Sequence, residues 1–131
     1  MPYQFEIDRS EGVVHFSASG VFTSEELFSC IQEVVADPDF EPGYHHLVDL
    51  RDVQQHSTRG EEIARRVAFD QAMADRFGDA KIALVSSALQ VYGMTKMYEI
   101  LAKELPFKVR TFVSMSEARG WLGLPKQDDQ R

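Results

Sequence analysis

Apolar and polar residues alternate in the first part of the chain, over residues 3–8 and again over Val13–Ser19. In the second stretch the apolar residues that share one face are Val14, Phe16 and Ala18. A period of two is typical of half-buried β-strands, and a polar turn at residues 9–12 separates the two stretches. The pattern therefore predicts that the chain begins with an antiparallel β-hairpin.

Beyond the hairpin, four segments carry the Ser/Thr-x-x-Glu/Gln pattern. In this pattern the N-cap side chain and the third helical residue bind each other's backbone amides. The four N-cap candidates are Thr23, Thr58, Ser87 and Ser114. Each one precedes apolar residues with helical spacing, which predicts four helices. Short apolar segments, typical of buried strands, lie between them at residues 46–50, 81–85 and 107–113.

The resulting order of elements is β-β-α-β-α-β-α-β-α. Strands that alternate with helices pair in parallel through right-handed crossovers. The sequence therefore predicts a single α/β domain, residues 1–124, in which four helices cover a five-stranded, mixed and mostly parallel sheet. Residues 125–131 offer little to bury and are expected to form a flexible C-terminal tail.

Composition narrows the class of protein. With 131 residues, 44% of them hydrophobic and 27% charged, the chain suits one globular domain that needs no disulfides. A formal net charge of −7 argues against nucleic acid as a partner, because a phosphate backbone would repel it. Cys30 is the single cysteine, which indicates a reducing compartment. Since no signal peptide or long apolar segment is apparent, we expect a cytoplasmic protein without a transmembrane segment.

Polar residues follow the third predicted strand, where an open α/β sheet commonly binds its ligands. Asp49 at the end of this strand, with Arg51 and Asp52 directly after it, forms a candidate ligand-binding cluster there. The alternative interpretation is a turn in which the carboxylate binds local backbone amides. Ser57 and Thr58 come next, at a helix start whose free N–H groups favour an anion or a phosphate group. The alternative is that Thr58 is simply the N-cap.

Asp70 lies on the apolar side of the second predicted helix, where a hydrophobic residue would be expected. Its carboxylate could line a cavity between helix and sheet. The alternative is that Arg66, one turn earlier, pairs with it at the surface.

The third predicted helix has two apolar faces. The broad face, which we expect to pack on the sheet, contains Val91, Met94, Met97, Tyr98, Leu101 and Leu105. Leu89, Tyr92 and Ile100 lie roughly opposite, and burial on one side cannot cover both faces. This second face is a candidate interface, the alternative being scattered surface hydrophobic residues.

Several segments resemble the SpoIIAA-like proteins, small bacterial relatives of the STAS (sulphate transporter and anti-sigma factor antagonist) domain. They are HLVDLRDV, KIALVSS and VYGMTKMYEILAKELPFKVRTFVSMSEARGWLG. The resemblance covers Tyr3 to about Leu124 and implies the fold of that family, which is also compared to lipid-binding Sec14-type domains, together with frequent self-association. In anti-sigma factor antagonists the turn before the second helix resembles Asp-Ser-Ser-Gly and is phosphorylated by a partner kinase. Residues 56–60 read HSTRG instead, so the resemblance does not carry the phosphorylation over.

Two functional hypotheses result. The first is a non-enzymatic protein-interaction or regulatory module of the STAS-like type, which forms a homodimer or binds another protein through its second and third helices. The alternative is a carrier or sensor of a small apolar or lipid-like ligand, held between helices and sheet, with Asp70 or Tyr92 binding the polar end. We expect no catalytic residues, metal or cofactor, because the histidines and carboxylates lack the spacing of known sites.

Overall fold

The computed structural model describes residues 3–56 and 60–125. Its centre is a five-stranded sheet in which the strands follow chain order. The strands are β1 (Tyr3–Asp8), β2 (Val13–Phe22), β3 (His45–His56), β4 (Lys81–Val85) and β5 (Lys108–Phe112). β1 is antiparallel to β2, and the other neighbours are parallel. The mixed, mostly parallel sheet and its opening hairpin are therefore confirmed.

Five helices accompany the sheet in the described ranges. They are α1 (Ser24–Ala36), α2 (Gly60–Ala72), α3 (Ala74–Phe77), α4 (Leu89–Leu101) and α5 (Met115–Trp121), and one 3-10 turn (Ala102–Glu104) follows α4. The second predicted helix is two helices, because Met73 leaves helical geometry at φ −97° and ψ 6°. Its amide still donates to the carbonyls of Phe69 and Asp70, so this amide remains paired at the break. Neither glycine nor proline marks this position in the sequence.

Two of the predicted N-caps are observed. Thr23 and Glu26 form the complete reciprocal pattern at α1, and Ser114 accepts the Glu117 amide at α5. The prediction for Ser87 was wrong, because α4 begins after Ala88, which provides no side-chain cap. The Ser87 hydroxyl instead donates to the Arg51 carbonyl, 3.0 Å away. Thr58, like Ser57, lies outside the described residues.

β3 is longer than predicted. The polar turn expected after Leu50 is a continuation of the strand to His56, which pairs with an equally extended β2 as far as Phe22. Backbone pairing with a neighbouring strand does not depend on hydrophobic side chains, so the polar composition of this stretch did not reveal it. The register also shifts between Ser17 and Ser19, where β3 contains one extra residue. Such a bulge bends a strand and changes where its side chains point.

The sheet has a core on each face. The larger core joins β2, β3 and β4 to α1, α3 and α4, and its fully buried members include Val14, Val53, Phe77 and Val91. We call this side the helical face. The smaller core contains Val13, Leu47, Ala83 and Val85 of the sheet, against Met115, Ala118 and Leu122 of α5 and its end. We call this side the α5 face. Because α5 has only seven residues, it covers only part of that face.

Candidate functional site

The outer side of α4 is unusually apolar for an exposed helix. Four of the six large hydrophobic side chains that are exposed in the described part of the chain belong to this one helix. They are Leu89 (86% exposed), Ile100 (54%), Met97 (43%) and Leu101 (43%), and together we call them the α4 strip. Tyr92, the third residue of the predicted interface, is half-buried beside it.

Met97 and Leu101 were expected to face the sheet, and that expectation was wrong. The residues of α4 and its end that are buried are Val91, Thr95, Tyr98 and Ala102. Thr95 occupies the centre of this face because its hydroxyl lies 2.7 Å from that of Thr111 on β5 and 2.9 Å from the Tyr92 carbonyl. Hydropathy alone cannot anticipate that a paired threonine replaces a leucine or methionine at the centre of a buried face.

Gly93 lies within the α4 strip. A Cβ atom built on Gly93 would meet no other atom within 4 Å, so the helix surface is bare at this point. Leu89 and Met97 lie one turn before and one turn after it. The strip therefore has a shallow gap between two apolar side chains.

Behind the strip, a buried polar network joins α4 to α2. Asp70 is completely buried, and Arg66 Nε lies 2.7 Å from both of its carboxylate oxygens. The Tyr98 hydroxyl donates to Asp70 Oδ2, and the Arg66 guanidinium stacks over the Tyr98 ring at 5.3 Å. The predicted pairing of Asp70 with Arg66 is thus present, but it lies inside the protein and not at the surface.

Burial shapes the electrostatics of this network. Burial disfavours the charged guanidinium of Arg66, but Asp70 and Tyr98 together outweigh this effect and raise the pKa of Arg66. For the Tyr98 phenol the charged form is the deprotonated one, so burial raises its pKa. Tyr98 therefore stays protonated and able to donate. Because Asp70 has no exposed surface and Arg66 and Tyr98 bind its carboxylate, it presents no free oxygen to a ligand in this conformation. The carrier hypothesis offers Asp70 or Tyr92 for the polar end of its ligand, and only the use of Asp70 requires such an oxygen.

Two further ionisable groups lie on the helical face. His46 is 8% exposed, and its Nε2 is enclosed without a hydrogen-bond partner among the described residues. Burial, assisted by the charge on Arg66, lowers the pKa of His46 to about 3. Burial raises the pKa of the Cys30 thiol to about 12, so the thiolate that would react as a nucleophile does not form near neutral pH.

Asp49 and Arg51 lie on the α5 face, and both are within β3, whereas the sequence placed Asp49 late in the strand and Arg51 beyond its end. Arg51 donates to both carboxylate oxygens of Asp49 at 2.9 Å, and its backbone amide reaches Asp49 Oδ1 at 3.1 Å. The pair occupies the register shift in β3, which explains how residues two apart bind each other. Asp49 thus binds a local amide, but it does so within a strand and not in the turn that the alternative interpretation described. Asp52 is exposed and is not part of this ion pair.

A groove of about 400 Å³ opens beside this pair. Its polar walls are formed by Gln4, Glu6, His15, Ser17, Asp49, Arg51 and Arg119, with Leu47 and Met115 at the apolar end. The sequence did not reveal the groove, because its walls come from four separate elements. Alternation in β1 and β2 was the available signal: the polar residues of both strands share the side opposite the main core.

The hairpin turn brings together one group of potential metal ligands that the sequence did not indicate. One ligand atom each from Asp8, Glu11 and His15 lies within 4.8 Å of the others. Asp8 Oδ1 already accepts from the Ser10 hydroxyl at 2.6 Å and the Glu11 amide at 3.1 Å. Exposed carboxylates in turns commonly form such local bonds, and nothing else at the turn points to a bound ion.

Two carboxylates and two histidines that are buried or half-buried could in principle transfer protons, and they are divided between the two sides of the sheet. Asp70 and His46 belong to the helical face, whereas Asp49 and His15 line the groove on the α5 face. The structure therefore does not bring these four residues to one pocket.

Comparison with known proteins identifies the fold of this chain. Neither a family model nor a curated protein matches this chain. The crystal structure of an uncharacterised DUF3478-family protein from Shewanella loihica PV-4, described as having a SpoIIAA-like fold, aligns with a TM-score of 0.59 and 16% sequence identity. The alignment covers 92% of this chain and 93% of that one. No helix in the described ranges is long and apolar enough to cross a membrane. The structural alignment shows that the chain has a SpoIIAA-like α/β fold, as its sequence motifs indicated.

Proposed function

We propose that this protein is a non-enzymatic interaction module of the STAS-like type that forms a homodimer through the α4 strip. The observation that carries the proposal is the concentration of exposed apolar side chains on one side of one helix. Contiguous apolar surface is costly to expose to water and commonly marks an interface. The separation of the acid-base candidates on two faces supports a role in binding over one in catalysis.

The spacing of the strip favours a second copy of the same chain as the partner. Leu89 and Leu101 lie equally far along α4 from Thr95, and so do Gly93 and Met97. At about 100° per residue, both pairs are also centred on the same line along the helix surface. This line lies on the side of the helix opposite Thr95. A two-fold axis that crosses the line at the level of Thr95 would place Met97 of each copy over the bare surface at Gly93 of the other, and Leu89 against Leu101.

Such an arrangement is the isologous contact of a two-fold symmetric dimer, in which one patch pairs with itself. Gly93 allows close approach, because no side chain fills the gap beside Met97. A 13-residue helix is about 20 Å long, so the contact covers less than the roughly 800 Å² per partner of a standard interface. We therefore expect a reversible dimer with a dissociation constant in the micromolar range.

Sedimentation velocity across a concentration series tests the proposal. The wild-type chain should shift from monomer to dimer, and Met97→Glu should raise the dissociation constant about tenfold or more, since it places a charge at the centre of the contact. Val113→Glu is the matched control: Val113 is 62% exposed, lies outside α4, and undergoes the same change of charge. It should dimerise like the wild type.

Two outcomes would contradict self-association through α4. One is a strict monomer at high micromolar concentration, which would leave a different protein as the occupant of the strip. The other is a dimer that Met97→Glu and Val113→Glu weaken equally, which would move the interface away from α4.

A further inference from the structure

The groove on the α5 face exists because the sheet is only partly covered there. The short helix α5 packs against β3, β4 and β5. β1 and β2 extend beyond it and present Gln4, Glu6, His15 and Ser17 to the open side. The volume of about 400 Å³ falls at the lower end of the range of roughly 300–1,000 Å³ that is typical of small-molecule sites.

Arg119 is the unusual residue in this groove. It is only 7% exposed, and its Nε donates to the Pro125 carbonyl at 2.6 Å. Within residues 3–56 and 60–125, no carboxylate lies within 4.0 Å of its guanidinium. A guanidinium has five N–H donors, and a buried one is normally paired with an anion because removal from water is costly.

In the part of the chain that the structure describes, the two other arginines of low exposure show what Arg119 lacks. Arg66 contacts both oxygens of Asp70, and Arg51 contacts both oxygens of Asp49. Asp49 is therefore already neutralised, although it lines the same groove as Arg119. A carboxylate or phosphate group is the partner whose two oxygens match the remaining N–H groups of a guanidinium.

The free side of Arg119 faces the groove. Among the side-chain nitrogen and oxygen atoms of the described residues, only His46 Nε2 and Ser86 Oγ are both enclosed and unpaired, so the terminal nitrogens of Arg119 are not sealed off in this way. The Arg119 side chain lines the groove. His15 and Ser17, two residues apart on β2, supply further hydrogen-bonding groups on the same wall. The net charge of −7 opposes an anion only weakly at this point, because salt screens exposed charges beyond about 8 Å.

We propose that the groove between α5 and the β1–β2 hairpin binds a small molecule bearing a carboxylate or phosphate group, with Arg119 as its anchor. His15 and Ser17 lie where they can hydrogen-bond the same ligand, and Gln4, which pairs with Ser17 across the β1–β2 hairpin, extends the same wall. The site lies on the opposite side of the sheet from α4, so it is independent of the dimer proposed above.

An NMR titration of the ¹⁵N-labelled full chain tests this site. The probes are sodium phosphate and sodium succinate, each compared with sodium chloride at equal ionic strength. Saturable shifts should centre on the amides of residues 15–17 and 119, and the comparison of the two probes tells which anion is preferred. Arg119→Gln should abolish them.

A second variant covers the case in which Arg119→Gln fails to fold, since Arg119 also binds the Pro125 carbonyl. Gln4→Glu places a carboxylate at the exposed edge of the groove, and it should weaken binding about tenfold or more by charge repulsion. Gln32→Glu is the matched control, because Gln32 is exposed on α1 and receives the same added charge. It should bind like the wild type.

The proposal is overturned if neither anion produces saturable shifts beyond those of chloride. It is equally overturned if binding persists unchanged in Gln4→Glu, or if Gln4→Glu and Gln32→Glu weaken it to the same extent. Unchanged binding in Gln4→Glu would place the anion away from this groove, and equal weakening by both variants would mean that the anion responds to overall charge.

Discussion

Arg66 and Asp70 lie one turn apart on α2, and their ion pair is enclosed between α2 and α4. Pairs with this spacing usually lie on the solvent side of a helix, where they contribute little. Here the Asp70 side chain is 0% exposed and that of Arg66 15%. Tyr98 on α4 provides the additional donor that a buried carboxylate requires. The network therefore fixes α4 against α2 and keeps the α4 strip pointing outward.

Removal of the Asp70 carboxylate should destabilise the protein strongly. Asp70→Ala leaves the Arg66 guanidinium without its counter-charge in a largely buried position. Breaking such a pair costs about 3–5 kcal/mol, and the lower end is expected because Arg66 retains some exposure. Urea denaturation at neutral pH measures the change.

Lys96→Ala is the control for that experiment. Lys96 pairs with Glu99 at 3.1 Å with similar helical spacing, but its side chain is 48% exposed. Loss of an exposed pair should cost less than about 1 kcal/mol. If Asp70→Ala proved no more costly than Lys96→Ala, the buried network would have no special role in stability.

His46 should make the protein sensitive to acid. Burial lowers the pKa of the folded-state imidazole from its ordinary value of 6.5 to about 3. Between these values the unfolded chain binds a proton that the folded chain does not, so stability falls as the pH drops below 6.5. The slope attributable to His46 approaches about 1.4 kcal/mol per pH unit.

His46→Leu should remove this part of the pH dependence while keeping the protein at least as stable at pH 7, since it removes an enclosed nitrogen that has no partner among the described residues. His45→Asn is the comparison: burial also lowers the pKa of His45, but this residue is half-buried and should account for less of the slope. Denaturation midpoints from pH 7 to pH 4 distinguish the variants. Identical profiles for His46→Leu and the wild type would contradict the assignment.

Gly78 is required at the turn between α3 and β4. Its backbone has φ 66° and ψ −148°, a conformation essentially restricted to glycine, and an added Cβ would lie 2.9 Å from the backbone nitrogen of Gly43. Gly78→Ala should therefore lower the free energy of unfolding by about 2 kcal/mol or more.

Gly20→Ala provides the matched control. Gly20 also has a positive φ, 69°, but a Cβ there would meet nothing within 4 Å. Gly20→Ala should therefore lower the free energy of unfolding by about 1 kcal/mol, which is the cost of the backbone conformation without a steric clash. Thermal unfolding of both variants measures the difference, and equal losses of stability would mean that the contact with Gly43 relaxes freely.

The order of elements could be predicted from the sequence because it depends on local signals. Alternating residues in the hairpin, the N-caps at Thr23 and Ser114, and the apolar strands all depend on neighbours within a few positions. These signals were sufficient for the SpoIIAA-like fold. They failed at Met73 and Ser87, where the ends of helices are determined by backbone geometry and by a contact with Arg51.

Tertiary structure alone determined which residues can meet a ligand or partner. The sequence indicated that Asp70 has an unusual environment, but only the packing of α4 on α2 shows that Arg66 and Tyr98 bind its carboxylate. Likewise, the pairing of Thr95 with Thr111 rotates Met97 and Leu101 into solvent. Arg119 lines a groove with residues from β1, β2 and β3 that are distant in sequence. Local patterns determine which elements form, whereas burial and pairing depend on contacts between elements, which no local pattern records.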